Sequence, residues 1–139
     1  MHILLLHSSS DLYGASKIFL QTAQILKAQG HTCHVVVSAN GPLVDKLKQD
    51  NIPVTVINLG IIRRKYFTPL GILNRISKWQ KADDLLNKYI QQNGIELVYA
   101  NTTAVLLGAY LAKKNKIKHV WHVHEIIEKP KFLFLAIQW

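Results

Sequence analysis

Short apolar runs alternate along the chain with longer segments whose apolar positions recur at helical spacing. The runs are rich in Leu, Val and Ile, as in strands that are buried on both faces of a sheet. Gly30 follows one of the longer segments and Pro42 opens the next, which are typical places for these residues at helix ends. The pattern predicts strands at 3–6, 35–37, 53–57, 96–100 and 118–123, and helices at 14–29, 42–51, 70–92, 102–114 and 131–139.

This alternation is typical of an α/β domain in which a parallel sheet lies between two layers of helices. Right-handed crossovers and a switch in the middle of the sequence give the strand order 3-2-1-4-5. The 139 residues have the size of one domain. We therefore predict one three-layer, Rossmann-like domain over residues 1–139.

Apolar positions in three of the predicted helices indicate the faces that pack on the sheet. They belong to the first, second and fourth helices. These positions are Ile18, Leu20, Ala23, Ile25 and Leu26 with Thr22, then Leu43, Val44 and Leu47, then Val105, Leu106, Leu107, Ala109 and Leu111.

The sequence carries 17 Lys and Arg residues against 8 Asp and Glu residues, a formal net charge of +9. Such a charge favours an anionic partner: nucleic acid, a phosphate-bearing substrate or an acidic membrane surface. No apolar run approaches the roughly 20 residues of a membrane span, and the apolar start at residues 1–6 is too short for a signal peptide. Because Cys33 is the single cysteine, no internal disulfide can form. We expect a cytoplasmic protein.

Polar residues follow the predicted strands at their carboxyl ends, the edge at which parallel sheets bind ligands. Ser8 to Ser16 forms a polar loop that leads into the first helix, whose N-terminal N–H groups suit an anion. Gly14 and Ala15 would let a phosphate reach the backbone. The alternative is an ordinary turn with a serine or aspartate cap. At the same edge, Ser38 to Pro42 follows the second strand.

Two more stretches lie at this predicted edge. Asn101 to Thr103 follows the fourth strand and is either a helix cap or a ligand contact, roles that can coexist. His122 and His124 share one face of the fifth strand, and Glu125 follows them. A metal site needs more ligands than this stretch supplies. We predict no metal. The two histidines are either structural, one satisfied in the core and one at the rim of the sheet, or include a functional histidine, for which His124 is better placed because it is nearer the mouth.

Residues 61–79 interleave apolar and basic side chains. This composition is typical of a helix that contacts anionic lipid at a membrane surface. The alternative, which is the commoner case, is a lysine-rich helix flank over a sheet. The candidate contacts with a membrane or another anionic surface are Arg63, Arg64, Lys65, Arg75 and Lys78.

Four stretches, in their order and spacing, resemble the N-terminal domain of glycosyltransferase family 4, retaining enzymes of the GT-B fold. The resemblance spans nearly the whole chain. The stretches are Ile3-Leu4-Leu5-Leu6-His7 with Gly14-Ala15, Leu26-Lys27-Ala28-Gln29-Gly30-His31 with Val35-Val36-Val37, Glu96-Leu97-Val98-Tyr99-Ala100-Asn101, and Val120-Trp121-His122-Val123-His124-Glu125.

The resemblance implies roles for individual positions. Family members usually carry two glycines in the first loop, next to the diphosphate of the donor; here Tyr13 replaces the first and Gly14 keeps the second. His124 falls on the histidine that borders the donor sugar and the reaction centre. The implied substrate-binding positions are Tyr13, Gly14, Ala15, Asn101, Thr102 and Glu125, with His124 as the catalytic position.

By this resemblance, the full protein transfers a hexose from a nucleoside diphosphate sugar to a saccharide or lipid-linked acceptor with retention of configuration, without a metal or cofactor. The chain is expected to be the acceptor-binding half. The C-terminal domain that binds most of the nucleotide sugar is expected to be missing, so the chain alone is expected to be inactive. We expect polysaccharide biosynthesis in the cytoplasm, at the inner face of the membrane.

Other classes of protein fit less of the sequence. A flavodoxin-like regulatory module needs an acidic pocket after the first strand, where Asp11 is the only acid. A dehydrogenase needs G-x-G-x-x-G and an acid at the end of the second strand, and the chain has neither. The basic residues form no recognised nucleic-acid motif, and we predict no nucleic-acid partner. A non-catalytic Rossmann-like module for a phosphate-bearing or nucleic-acid ligand is the alternative to an enzyme.

Overall fold

A computed structural model describes residues 1–59, 68–101 and 106–123 of the chain. Strands and helices alternate throughout these ranges, as the sequence predicts. The elements are β1 (His2–His7), α1 (Gly14–Ala28), β2 (Thr32–Val37), α2 (Pro42–Gln49), β3 (Val54–Val56), α3 (Pro69–Asn93), β4 (Leu97–Asn101), α4 (Leu106–Asn115) and β5 (Lys118–His122).

The five strands form one parallel sheet in the order β3-β2-β1-β4-β5, which confirms the predicted order. β1 lies at the centre, and Leu4, Leu5 and Leu6 are completely buried. In the register of β1 with β4, Leu6 pairs with Ala100. The last residues of these two strands, His7 and Asn101, therefore lie side by side at the carboxyl edge of the sheet.

Alternate residues of each strand supply two separate cores, one on each face of the sheet. On one face, Leu4 and Leu6 pack with residues of α3 and α4, such as Leu86 and Leu107. On the other face, Leu5 packs with residues of α1 and α2. The domain therefore has three layers, with α1 and α4 on opposite faces of the sheet.

The inner faces of two helices were predicted correctly. All three predicted residues of α2 are buried, as are Leu107, Ala109 and Leu111 of α4, whereas the predicted Leu106 is half-buried. The first turn of the predicted fourth helix, with Val105, lies outside the described residues. The predicted helix at 131–139 lies outside them as well.

The predicted inner face of α1 is wrong at two positions. Ile18 and Ile25 are 40% and 57% exposed, whereas Ser16, Phe19 and Ala23 are buried. The three buried residues are spaced i, i+3 and i+7, which places them on one side of a helix. The helix is rotated to this side because Phe19 brings the larger ring into the core and Ser16 bonds to the sheet. Apolar character alone does not show that a serine belongs to the buried stripe.

Thr68 caps α3, because its Oγ1 accepts a hydrogen bond from the N–H of Gly71 at 3.0 Å. Gly94 ends the helix in the left-handed conformation, with φ of 61°. Although α3 is 25 residues long, neither it nor another helix in the described ranges combines the length and apolar character needed to cross a bilayer.

Candidate functional site

The strand order places a topological switch point between β1 and β4. From β1 the chain moves to one side of the sheet through β2 and β3, and from β4 to the other side through β5. The helices that follow β1 and β4 lie on opposite faces of the sheet, which opens a crevice beyond the carboxyl ends of these strands. His7 and Asn101 form the floor of this crevice.

His7 is 1% exposed and connects the end of β1 to the first turn of α1. Its Nε2 lies 2.8 Å from the Oγ of Ser16, and its ring stacks on Phe19 with centroids 4.8 Å apart. Asn101, which is fully buried, brings its Nδ2 within 3.1 Å of His7 Nδ1 and donates to the carbonyl of Ala15 at 3.2 Å. Both strands therefore hold the start of α1.

α1 begins at Gly14, and the start of this helix is open. Gly14 has φ of +45°, and a Cβ at this position would meet nothing within 4 Å. The preceding residue, Tyr13, is 82% exposed, and its side chain forms no cap. The N–H of Ser16 is bonded to the carbonyl of Tyr13. The N–H groups of Gly14 and Ala15 belong to a first turn that has no intrahelical acceptor for them, so this end carries the positive potential that attracts an anion.

Asp11 shapes the loop before α1. Its carboxylate accepts hydrogen bonds from the hydroxyl of Ser9 and from the N–H of Tyr13, at 2.5 and 3.0 Å. The hydroxyl of Ser9, the N–H of Tyr13 and the hydroxyl of Ser16 hold the pKa of Asp11 below its usual value. The aspartate thus caps a turn of the loop and not the helix itself, whose N-cap position is Tyr13.

The loop after β1 is fastened to the start of α2. Ser10 is buried; its hydroxyl donates to the carbonyl of Ala39, and its own carbonyl accepts from the N–H of Leu43 at 2.9 Å. Gly41 lies directly against Ser10. The Ser38 to Pro42 stretch is therefore at the predicted edge of the sheet and supports the first loop.

At the next strand, His122 and Tyr99 form a pair. The Tyr99 hydroxyl lies 2.5 Å from His122 Nδ1, and burial raises the pKa of Tyr99. This pair joins β4 to the end of the edge strand β5, where His122 is half-buried and pairs with Asn101 in the register. The described residues contain no group of three or more His, Cys, Asp and Glu side chains that could hold a metal ion.

The structure brings some of the predicted site residues together. Tyr13, Gly14 and Ala15 form the start of α1, and Asn101 lies beneath them. The contact of Asn101 with the acceptor stays a prediction, because in the structure this side chain is buried and contacts His7 and Ala15. Arg75 and Lys78 lie in the first half of α3. The predicted site residues Thr102, His124, Glu125, Arg63, Arg64 and Lys65 lie outside the described residues.

Sequence reasoning missed His7 and Ser16. His7 was placed only in the opening strand, and Ser16 among the polar residues of the first loop. The signal that could have found His7 is its position, because it is the last residue of the central apolar run and directly precedes the serines of the loop. A histidine there enters the crevice of a parallel sheet.

A parallel sheet of this order, with a glycine opening a helix beside the switch point, defines a Rossmann-like domain of the kind that forms one half of a GT-B glycosyltransferase. Residues 13–139 match the sequence profile named Glycosyltransferase Family 4. The chain therefore belongs to glycosyltransferase family 4. None of the curated protein sequences matches it.

Solved structures that share the fold include a glycosyltransferase from Rickettsia africae, with a TM-score of 0.68 and 23% identity over 94% of this chain and 31% of that one. HepE from Anabaena in complex with UDP-glucose has a TM-score of 0.67 and 25% identity over 99% of this chain and 34% of its own. MurG from Acinetobacter baumannii has a TM-score of 0.65 and 19% identity over 99% of this chain and 39% of its own. The chain thus spans between 31% and 39% of the length of these structures.

Proposed function

We propose that this chain is the acceptor-side half of a glycosyltransferase that moves a hexose from a nucleoside diphosphate sugar to a saccharide or lipid-linked acceptor with retention. A C-terminal domain of the same protein completes the cleft and binds most of the donor. The observation that carries the proposal is the open start of α1 at Gly14, directly above His7 and Asn101 at the switch point. Membership of glycosyltransferase family 4 supports it.

The donor's diphosphate is placed against the first turn of α1. Departure of the diphosphate builds negative charge, and fixed N–H groups that point at this charge lower the barrier without a metal or cofactor. The N–H groups of Gly14 and Ala15 supply part of this stabilisation, and cationic side chains of the second domain supply the rest. The bound UDP-glucose of HepE supports a sugar nucleotide as the donor.

His124 is placed beside the donor sugar, where it hydrogen-bonds the sugar or the leaving phosphate, while Thr102 and Glu125 line the substrate cleft. Since β5 ends at His122, residues 124 and 125 follow a strand at the same edge of the sheet as His7 and Asn101. Closure of the two domains excludes water from this cleft.

The first turns of α3 support contact with an anionic membrane at the inner face, where lipid-linked acceptors of polysaccharide synthesis are found. Leu70, Leu73 and Ile76 recur every three residues and are 80%, 63% and 45% exposed. Arg75 and Lys78 lie on another side of the same helix, so the segment is amphipathic. The positive charges of Arg75 and Lys78 suit anionic headgroups.

Transfer is tested with the full-length gene product, incubated with UDP-glucose, UDP-galactose or GDP-mannose and with short saccharide or lipid-linked acceptors. We expect release of the nucleoside diphosphate and a product whose anomeric configuration, read by proton NMR coupling constants, equals that of the donor. Residues 1–139 alone should transfer nothing. An inverted product excludes retention, and transfer by residues 1–139 alone excludes the role of a half enzyme.

His124→Ala should lower kcat about a hundredfold, the effect of removing one donor that stabilises transition-state charge. His34→Gln is the matched control, because His34 lies within β2, before its carboxyl end, and bonds to Tyr89. Equal loss of activity in both variants contradicts a special role of His124.

Membrane contact is tested by co-sedimentation with vesicles of phosphatidylglycerol and phosphatidylcholine at low salt. Replacing Arg75 and Lys78 by glutamine should weaken sedimentation, because each basic residue near an anionic surface contributes roughly 1 kcal/mol. The control replaces Lys46 and Lys48, exposed on α2, and changes the net charge by the same amount. Equal weakening in both pairs, or no binding by the parent protein, rejects the α3 surface.

A further inference from the structure

We propose that His7 is a positioning residue, held as its neutral Nε2–H tautomer, that fixes the first turn of α1 against β4 so that the turn is ready to bind a nucleoside diphosphate. The inference rests on the proposed function for the identity of the ligand. The arrangement of His7 itself follows from the contacts of Asn101, Ala15 and Ser16.

The carbonyl of Ala15 determines the orientation of the Asn101 amide. A backbone carbonyl only accepts, so the atom of Asn101 that lies 3.2 Å from it is the Nδ2 donor. The same Nδ2 lies 3.1 Å from His7 Nδ1. The two hydrogens of this amide nitrogen match its two neighbours, which makes His7 Nδ1 an acceptor without a proton.

The opposite nitrogen of the ring then carries the proton. His7 Nε2–H donates to Ser16 Oγ over 2.8 Å. The Ser16 hydroxyl is left to donate in turn, and its hydrogen bond to Asp11 is one of the effects that lower the pKa of that carboxylate. Donation therefore runs in one direction, from Asn101 through His7 and Ser16 to Asp11, and ends on a group that only accepts.

These hydrogen bonds hold the first turn of α1 at two adjacent residues, through the carbonyl of Ala15 and the side chain of Ser16. His7, Ser16 and Asn101 are buried, with 1%, 2% and 0% exposure, and Phe19 covers the face of the imidazole ring. A ring held at both nitrogens and on one face cannot turn without breaking these contacts. The N–H groups of Gly14 and Ala15 are thereby held in place before a ligand arrives, which removes the cost of ordering them on binding.

The test uses the full-length gene product and two ligands, UDP and uridine, measured by calorimetry. In His7→Leu, the affinity for UDP should fall about tenfold, the change expected when hydrogen bonds to a charged group lose their alignment. The affinity for uridine should change less than about twofold, because uridine has no phosphate. His7→Gln keeps a donor near Ser16 and should recover much of the UDP affinity. His34→Gln, which lies within β2 and bonds to Tyr89, should change neither affinity.

A purely structural role would lower the melting temperature of His7→Leu and leave the ratio of UDP to uridine affinity unchanged, and this result would overturn the proposal. If His7→Leu fails to fold, Ser16→Ala removes the same contact from the helix side and must show the same selective loss of UDP affinity. If the parent protein binds neither UDP nor GDP, the donor assignment fails, and two NMR measurements still test the arrangement. In ¹⁵N-histidine spectra, a protonated Nδ1 of His7 contradicts it, as do equal backbone order parameters of residues 14–16 in the parent protein and His7→Leu.

Discussion

Gly41 lies so close to Ser10 that a Cβ on the glycine would be 2.7 Å from the Ser10 carbonyl oxygen and 2.8 Å from the Ser10 Cβ. The contact holds the loop after β1 against the start of α2, together with the bond from the N–H of Leu43 to the same Ser10 carbonyl. The backbone of Gly41 is extended, with φ of 171°, so space and not torsion requires the glycine.

Gly41→Ala should therefore destabilise the protein by about 1–3 kcal/mol, the usual cost of forcing extra atoms into a packed site. One of the obstructing atoms is a backbone oxygen, which cannot move aside as a flexible side chain would. The measurement is denaturant unfolding of the variant and the parent protein. Gly41→Asn should cost at least as much, because asparagine adds the same Cβ. A loss below about 0.5 kcal/mol, the scatter of ordinary surface changes, would show that the loops are not held at this contact.

At Gly14 the reason for the glycine is the opposite one, because the backbone torsion and not the lack of space requires it. With φ of +45° and nothing within 4 Å of a Cβ, Gly14→Ala meets no obstacle but must adopt the left-handed region, at a cost of about 1 kcal/mol. Gly14→Asn should cost less, since asparagine tolerates this region better than other residues. Denaturant unfolding of both variants tests the order. If alanine and asparagine cost the same, torsion is not the reason for the glycine.

The sheet and its order followed from the sequence, because buried parallel strands leave continuous apolar runs and crossovers have one hand. The start of the first helix was also predictable, since Gly14 follows a polar loop. What the sequence could not show was the rotation of α1, which depends on Ser16. A serine enters the buried face only when a partner such as His7 satisfies its hydroxyl, and that partner comes from another element.

The sequence predicted where in the sheet the candidate-site residues lie, but not which groups their side chains contact. Asn101 was expected beside the ligand and does lie at the switch point, yet its amide is directed to His7 and Ala15. Hydrogen bonds between side chains of different strands depend on register and distances that one sequence does not encode locally. For the same reason, the sequence did not predict the hydrogen bond between His122 and Tyr99 on the neighbouring strand.

Two histidines give the protein a predictable sensitivity to acid. Burial lowers the pKa of His119 below its usual 6.5, and burial followed by the charge of His2 lowers the pKa of His34. At mildly acidic pH these two histidines therefore bind protons more readily in the unfolded chain than in the folded chain. Their contribution to the free energy of unfolding is complete above pH 6.5 and decreases as the pH falls below 6.5 toward the lowered pKa values. We expect the midpoint of denaturant unfolding to decrease between pH 7.5 and 5.5.

His119 is the more informative of the two histidines, because its Nε2 is buried and has no hydrogen-bond partner among the described residues. His119→Leu removes this atom and should make the midpoint less dependent on pH, with little loss of stability at pH 7.5. His34→Gln should reduce the dependence separately. An unchanged pH dependence in the double variant would show that acid acts through other groups.

Gly108 allows α4 to approach the centre of the sheet. A Cβ there would be 2.9 Å from the Cβ of Ala100 and 3.2 Å from Cδ1 of Leu6. Gly108→Ala should destabilise the protein by about 1–3 kcal/mol, because Leu6 and Ala100 are completely buried and have no room to move.

Exchanging the two small residues provides the sharper measurement. Ala100→Gly alone should cost about 1 kcal/mol, since glycine weakens a strand. Combined with Gly108→Ala, it removes the methyl group that the new Cβ would strike, so the double variant should be more stable than the sum of the single losses predicts. The coupling energy from a double-mutant cycle of unfolding free energies measures this directly. Additive losses would mean that Leu6, and not Ala100, limits the approach of α4, in which case Leu6→Val in place of Ala100→Gly should restore the coupling.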